Sequence, residues 1–185
     1  MIRLSVLVAA SLSAALTPPA VAEPAPPRGH LDLVVGFTGI GGVGPFTQAG
    51  VAGGWQVGAI EAHAAVLTGP TYGDSDVGNL VQLRAGIERR PVPGGGALYV
   101  GADLGGFFAD ADYVPRPLAM RGVMVAPRMG LELGGGPVRF QAGVEGFVGV
   151  GYLREGAGPS AIPARHEWRQ VVGIAAVVGL VLVIP

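Results

Sequence analysis

The sequence contains no cysteine and no lysine, and charged residues make up only 14% of its 185 positions. Without cysteine, the chain can form no disulfide or thiolate metal site, and it has neither a cysteine nucleophile nor the acceptor of an N-terminal lipid anchor. All twelve basic residues are arginine. Because water-facing surfaces normally use lysine freely, its absence, together with a mean hydropathy of +0.50, is unusual for a soluble domain.

Strong charge of either sign is also missing, since the formal net charge is −1. This balance favours neither nucleic acid nor an acidic substrate as a partner. Asp74 and Asp76 form a D-x-D pair but lack the rest of a calcium loop, so we predict no metal ion. No motif indicates a cofactor, and we predict none.

The N-terminal residues have the three parts of a secretory signal peptide. Arg3 provides a positive charge, an apolar stretch follows, and Ala20 and Ala22 place small residues before a cleavage site at Glu23. The apolar stretch is too short for a transmembrane helix. The sequence therefore predicts a signal peptide at 1–22, a short Pro-rich lead at 23–30 and one exported domain at 31–185.

The exported part reads as an all-β domain. All 33 glycines lie after the predicted signal peptide, many of them inside apolar runs, where they would disrupt helices but suit curved or closely approaching strands. Segments with a period of two residues are separated by turn residues. We predict eight strands, at about 31–39, 48–57, 59–68, 78–89, 97–109, 120–133, 138–152 and 167–184.

The connections between these strands alternate in predicted length. Those after the first, third, fifth and seventh strands are long, whereas the others are short and glycine-rich. Outer-membrane barrels have short periplasmic turns and longer outside loops. The pattern therefore favours an antiparallel up-and-down eight-stranded transmembrane barrel.

Each predicted strand divides into an apolar row and a row of glycine with a few charged residues. A membrane barrel turns the apolar row towards lipid and the other row inward. The inward row then carries charges of both signs, which predicts a network of ion pairs in the lumen. Its predicted members are Asp32, Glu61, His63, Arg84, Glu88, Asp103, Arg128, Glu132, Arg139, Glu145 and Arg169.

Aromatic residues of the apolar row lie near the strand ends, as expected for two girdles at the membrane interfaces. The predicted girdle residues are Phe37, Phe108, Tyr152 and Trp168 on the loop side, and Trp55 and Phe140 on the turn side. Alternation alone also fits a soluble exported barrel of lipocalin type, periplasmic or secreted, with its apolar row around an apolar ligand. That interpretation is the main alternative.

With eight strands, loop asymmetry and a row of Arg, Glu and Asp, the chain resembles the eight-stranded outer-membrane barrels of the OmpA-transmembrane-domain type. The resemblance covers about 31–184. It implies an outer-membrane location, contact with the lipid bilayer, lipopolysaccharide as a further candidate partner, and insertion by the barrel-assembly machinery. One departure is the C terminus, which is aromatic in most such barrels and reads Leu182-Val183-Ile184-Pro185 here.

An eight-stranded barrel is only wide enough for side chains to fill it, so we predict no general porin. The predicted role is structural or one of surface interaction, without enzymatic activity. The remaining alternative is a lipid-modifying barrel enzyme. His63 is its candidate catalytic base, but no nearby serine on the strand and no G-x-S-x-G motif supports it.

Overall fold

The computed structural model describes residues 28–40, 44–70, 78–90, 98–113, 116–134, 136–156 and 164–184. The predicted signal peptide, most of the predicted lead, and Asp74 and Asp76 lie outside the described residues. Among the ranges described, no helix is long and apolar enough to cross a membrane.

The described chain forms eight β-strands that close into one barrel, which confirms the predicted fold. Each strand pairs antiparallel with its sequence neighbours, and β1 pairs with β8 from Gly29↔Ile184 to Ile40↔Gly173. The strands are β1 (Arg28–Ile40), β2 (Gly44–Val57), β3 (Ile60–Pro70), β4 (Asn79–Arg89), β5 (Leu98–Tyr113), β6 (Arg116–Leu133), β7 (Val138–Glu155) and β8 (Arg165–Ile184).

Two predicted long connections are short. Three residues separate β1 from β2, and two separate β5 from β6. Aspartate and proline near the second connection suggested a loop, yet the pairing continues through Asp112↔Pro117 to Tyr113↔Arg116. The pairing between β5 and β6 therefore extends through residues that, taken alone, favour a turn. Likewise, β1 begins at Arg28, so the end of the predicted lead is strand.

Because the strand number is even, the start of β1 and the end of β8 lie at the same end of the barrel. We call this the turn end, since the two-residue turn between β2 and β3 lies there, with Gly58 at φ +63°. Left-handed φ values are typical of such tight hairpins and favour glycine. The opposite end, where β7 is followed by β8 after nine residues, is the loop end.

The apolar rows cover the outside of the barrel. Leu83, Leu104 and Ile174 are 60%, 68% and 67% exposed, and they lie on three different strands. Apolar exposure on this scale is far larger than the patches of ordinary soluble surfaces. The outer surface is therefore suited to contact lipid.

The interior is divided into two zones along the barrel axis. The loop-end half holds an apolar cluster, which the sequence did not predict: Phe46, Leu80, Phe107, Ala109, Met120, Met124, Ala126, Phe147, Leu153 and Val171. Gly173 leaves room for the Phe147 ring, because a Cβ there would overlap that ring. The turn-end half holds charged side chains of β1, of β3–β7 and of Arg90, whereas β8 presents small apolar residues such as Val177, Gly179 and Val181 there.

Candidate functional site

The charged zone is organised around Arg90, which follows β4 directly and is 4% exposed. Its Nη2 lies 2.6 Å from Asp32 Oδ2 and its Nη1 lies 3.0 Å from Glu132 Oε2. Its Nε lies 2.8 Å from Glu61 Oε2 and also donates to Glu88. One guanidinium thus joins carboxylates of β1, β3, β4 and β6 across the lumen.

A second arginine connects strands that are not neighbours in the sheet. Arg84 Nη1 on β4 donates to Glu145 Oε2 on β7 at 2.5 Å. Its Nε donates to Gln82 Oε1 at 2.8 Å, and Gln82 in turn donates to Gln48 Oε1 at 3.1 Å. The amides therefore lie between the charged zone and the apolar cluster.

The other two arginines of the zone complete its contacts. Arg128 Nε donates to Glu88 Oε2 at 2.7 Å, and the guanidinium lies 5.8 Å from the centre of the Tyr99 ring. Arg139 Nη1 donates to Glu132 Oε1 at 2.5 Å. Each of these carboxylates also contacts Arg90, so the pairs form one connected network.

Two histidines lie among the carboxylates. His30 Nδ1 is 3.0 Å from Glu61 Oε2, and His63 Nε2 is 2.8 Å from Asp103 Oδ1. The zone contains six carboxylates, namely Asp32, Glu61, Glu88, Asp103, Glu132 and Glu145, but four arginines, namely Arg84, Arg90, Arg128 and Arg139. Both histidines lie against carboxylates, and His63 shares a hydrogen bond with Asp103.

The zone contains one group of residues of the types that hold metal ions, and a histidine of the type that acts as a catalytic base. Glu61, His63 and Glu88 place one ligand atom each within 4.8 Å of one another. However, Glu88 already accepts hydrogen bonds from Arg90 and Arg128, whose positive charges oppose a metal cation. Within the described part of the chain, the side-chain partners of His63 are carboxylates and not a serine or threonine hydroxyl.

Ten of the eleven residues predicted for the lumen lie in this charged zone, and Arg169 does not. Arg169 is on the inward row of β8, but its side chain is 36% exposed at the loop end and pairs with Glu167. Val171 of the apolar cluster follows it on the same row. Arg169 lies apart from the charged zone because that row passes through an apolar zone before it reaches the charges.

Arg90 and His30 of the charged zone were not predicted from the sequence. Arg90 fell just beyond the predicted strand at 78–89, and His30 fell in the predicted Pro-rich lead at 23–30. Both continue an inward row by one step, since Arg90 is two residues after Glu88 and His30 two residues before Asp32. The period of two, extended past the predicted strand ends, was the available signal.

The predicted girdle residues lie on the outer surface. Phe37, Trp55, Phe108, Phe140 and Trp168 are between 44% and 71% exposed. Tyr152 is half-buried because its ring packs edge-on against Trp168, with the centroids 5.4 Å apart. At the loop end, register places five outward residues in one row across adjacent strands: Val81, Phe108, Arg121, Tyr152 and Trp168.

Comparison with solved structures identifies the architecture. The chain is similar to the crystal structure of Neisserial surface protein A (NspA), with a TM-score of 0.58 and 12% identity over 87% of this chain and 99% of that one. It is also similar to the solid-state NMR structure of outer membrane protein AlkL in DMPC lipid bilayers, with a TM-score of 0.59 and 11% identity over 90% and 94%. No family model and no curated protein matches the sequence. The chain has the eight-stranded antiparallel barrel fold of small outer-membrane proteins.

Proposed function

We propose that this protein is an outer-membrane barrel with a closed interior, which serves a structural or surface-interaction role and is neither a general porin nor an enzyme. The observation that carries the proposal is the filled lumen. Phe46, Phe147 and Leu153 are at most 1% exposed in the loop-end half, and Arg90 is 4% exposed in the turn-end half. Two successive layers of side chains therefore oppose the passage of solutes.

The distribution of polarity argues against a soluble ligand carrier. A lipocalin-like barrel would enclose an apolar ligand and expose its polar row to water. Here the carboxylates of Asp32, Glu61 and Asp103 are at most 1% exposed, whereas Leu83 and Leu104 lie on the outside. In the proposed function the bilayer covers that outside, lipopolysaccharide contacts the loop end, and the barrel-assembly machinery inserts the chain.

The closed interior is tested by electrical recording from the purified protein in planar lipid bilayers, with a general porin as the positive control. We expect no stable conductance steps from the folded barrel. Folding is checked in the same preparation by the faster migration of the unboiled protein on gels. Stable unitary steps from a preparation that is fully folded by this criterion would contradict the proposal.

The non-enzymatic role is tested on lipopolysaccharide extracted from cells with and without the protein. We expect the same lipid A acyl and phosphate composition by mass spectrometry. A change in acylation that is lost in His63→Ala would instead support the lipid-modifying alternative. Depletion of the barrel-assembly machinery should reduce the fast-migrating folded form.

A further inference from the structure

An apolar groove of about 670 Å³ runs along the outer wall near the loop end. Leu83 and Val123 form its sides, and Phe108 and Tyr152 lie towards the loop end, together with Trp168. The groove is thus lined by apolar and aromatic side chains, as expected of a site for a hydrocarbon chain. Arg121 is the charged residue that lines it.

A missing side chain creates the groove. In the outward row next to the aromatic one, register pairs Leu83 with Gly106 and Gly106 with Val123. The glycine therefore leaves a gap between two large apolar side chains that are 60% and 62% exposed. A Cβ added at Gly106 would meet only the carbonyl oxygen of Gly122, at 3.6 Å, so neither close packing nor positive φ requires glycine there.

Two outward arginines lie at the head of this groove without an internal counter-charge. Among the residues that the structure describes, Arg121 and Arg154 have no hydrogen-bond or ion-pair partner. By contrast, the inward Arg165 and Arg169 both pair with Glu167. Arg121 lies within the aromatic row as the register partner of Tyr152, and Arg154 lies one step beyond Tyr152 towards the loop end, so the two arginines are diagonal neighbours on adjacent strands.

We propose that this groove is a binding site for the lipid A part of lipopolysaccharide. An acyl chain lies in the gap at Gly106, and Arg121, assisted by Arg154, donates hydrogen bonds to a lipid A phosphate. Guanidinium matches phosphate with two parallel hydrogen bonds, and aromatic rings beside it suit the boundary between headgroups and hydrocarbon. The inference rests on the proposed outer-membrane function and assigns its lipid contact to particular residues.

Binding is measured with the full barrel in a neutral detergent, carrying Trp55→Phe so that Trp168 is the fluorescent tryptophan. Lipid A should shift Trp168 emission, whereas phosphatidylcholine and inorganic phosphate should leave it unchanged. Arg121→Gln should weaken lipid A binding roughly tenfold, because one charge-assisted contact is lost. Gly106→Leu should weaken it as well, since the added side chain fills the gap.

Matched variants separate the groove from general effects on the barrel. Gly53 also faces outward but does not line the groove. A Cβ added there would meet only a backbone oxygen, at 3.6 Å, so Gly53→Leu should bind lipid A normally. Arg165→Gln removes a paired arginine and should also bind normally. Equal affinity of the parent, Arg121→Gln and Gly106→Leu would overturn the site, as would an equal response to phosphatidylcholine.

The result can be distinguished from failure of the proposed function. Heat-modifiable migration and the absence of channels report the closed membrane barrel, and neither depends on the groove. A folded, non-conducting barrel that does not discriminate lipid A from phosphatidylcholine would reject this site alone. A chain that remains soluble without detergent and shows no heat-modifiable form would reject the outer-membrane function itself.

Discussion

Arg90 and Asp32, which are 58 residues apart in the sequence, meet in the lumen with Nη2 and Oδ2 separated by 2.6 Å. The contact joins the end of β4 to β1, although these strands are not paired in the sheet. It is one of four ion pairs that Arg90 makes. Ion pairs across the lumen therefore connect strands that are not neighbours, in addition to the backbone hydrogen bonds that connect neighbouring strands.

Replacing Arg90 with alanine should lower the free energy of unfolding by about 3–5 kcal/mol, because removing one partner leaves buried carboxylates uncompensated. Urea unfolding of detergent-folded protein, followed by tryptophan fluorescence, measures the loss. Arg154→Ala, on the exposed outer rim, should change stability little. Similar costs for the two variants would show that the charged zone is not a buried network.

The coupling between Arg84 and Glu145 should be strong and resistant to salt. Their ion pair measures 2.5 Å and both side chains are almost fully buried, so a double-mutant cycle should give about 0.5–3 kcal/mol. The Arg165–Glu167 pair at 2.7 Å is the control, since its arginine side chain is 57% exposed. Its coupling should be weak and should disappear at high salt. An additive Arg84–Glu145 cycle would refute the prediction.

Leu104→Arg should destabilise the barrel in lipid by about 2–4 kcal/mol, because an arginine at the middle of the bilayer is costly. Leu98→Arg lies on the same outward row of β5 at the turn end and should cost much less. Unfolding titrations in liposomes compare the two variants. Equal tolerance of arginine at both positions would be inconsistent with a lipid-facing wall.

Gly149→Ala should be destabilising by about 1–3 kcal/mol through overpacking. An added Cβ would overlap the carbonyl oxygen of Val123 and lie 3.0 Å from the Met124 Cα. The outward Gly53→Ala has room and should be nearly neutral. Thermal unfolding followed on gels compares the stability of the two variants. A less stable Gly53→Ala would mean that the inward and outward rows are exchanged.

An epitope tag inserted after Gly158, between β7 and β8, should be reached by antibody on intact cells. A tag within 93–96, between β4 and β5, should be reached only after the outer membrane is permeabilised. These insertion points lie outside the described residues, but the flanking strands end at opposite ends of the barrel. Equal labelling of the two tags on intact cells would refute the topology.

Much of the wall could be predicted from the sequence because one residue in two faces lipid. The alternation around Leu83 or Val144 gave eight strands and their outward rows, since side chains on a strand point alternately to the two faces. Strand ends were less predictable. Asp112 and Pro117 are typical loop residues, yet they pair with each other as continuations of β5 and β6.

The lumen was harder to predict because its composition depends on which strands face one another across it. Phe107 and Phe147 interrupt rows of glycine and charge, and only the closed barrel shows that they pack together. In the same way, Arg90 stands beside a proline and looks like a turn residue. Only the curvature of the sheet brings it within reach of Asp32, Glu61 and Glu132.

In the turn-end half of the barrel, the inward row of β8 carries no charge, and this has a consequence for the order of assembly. Every member of the charged zone belongs to β1–β7 or directly follows β4, while β8 adds Val177, Gly179 and Val181 to that half of the lumen. The ion pairs can therefore form within a curved, seven-stranded intermediate that is still open. Closing the turn-end half of the seam between β1 and β8 then requires backbone pairing and apolar contact, and β8 brings no charge that has to be dehydrated in that half.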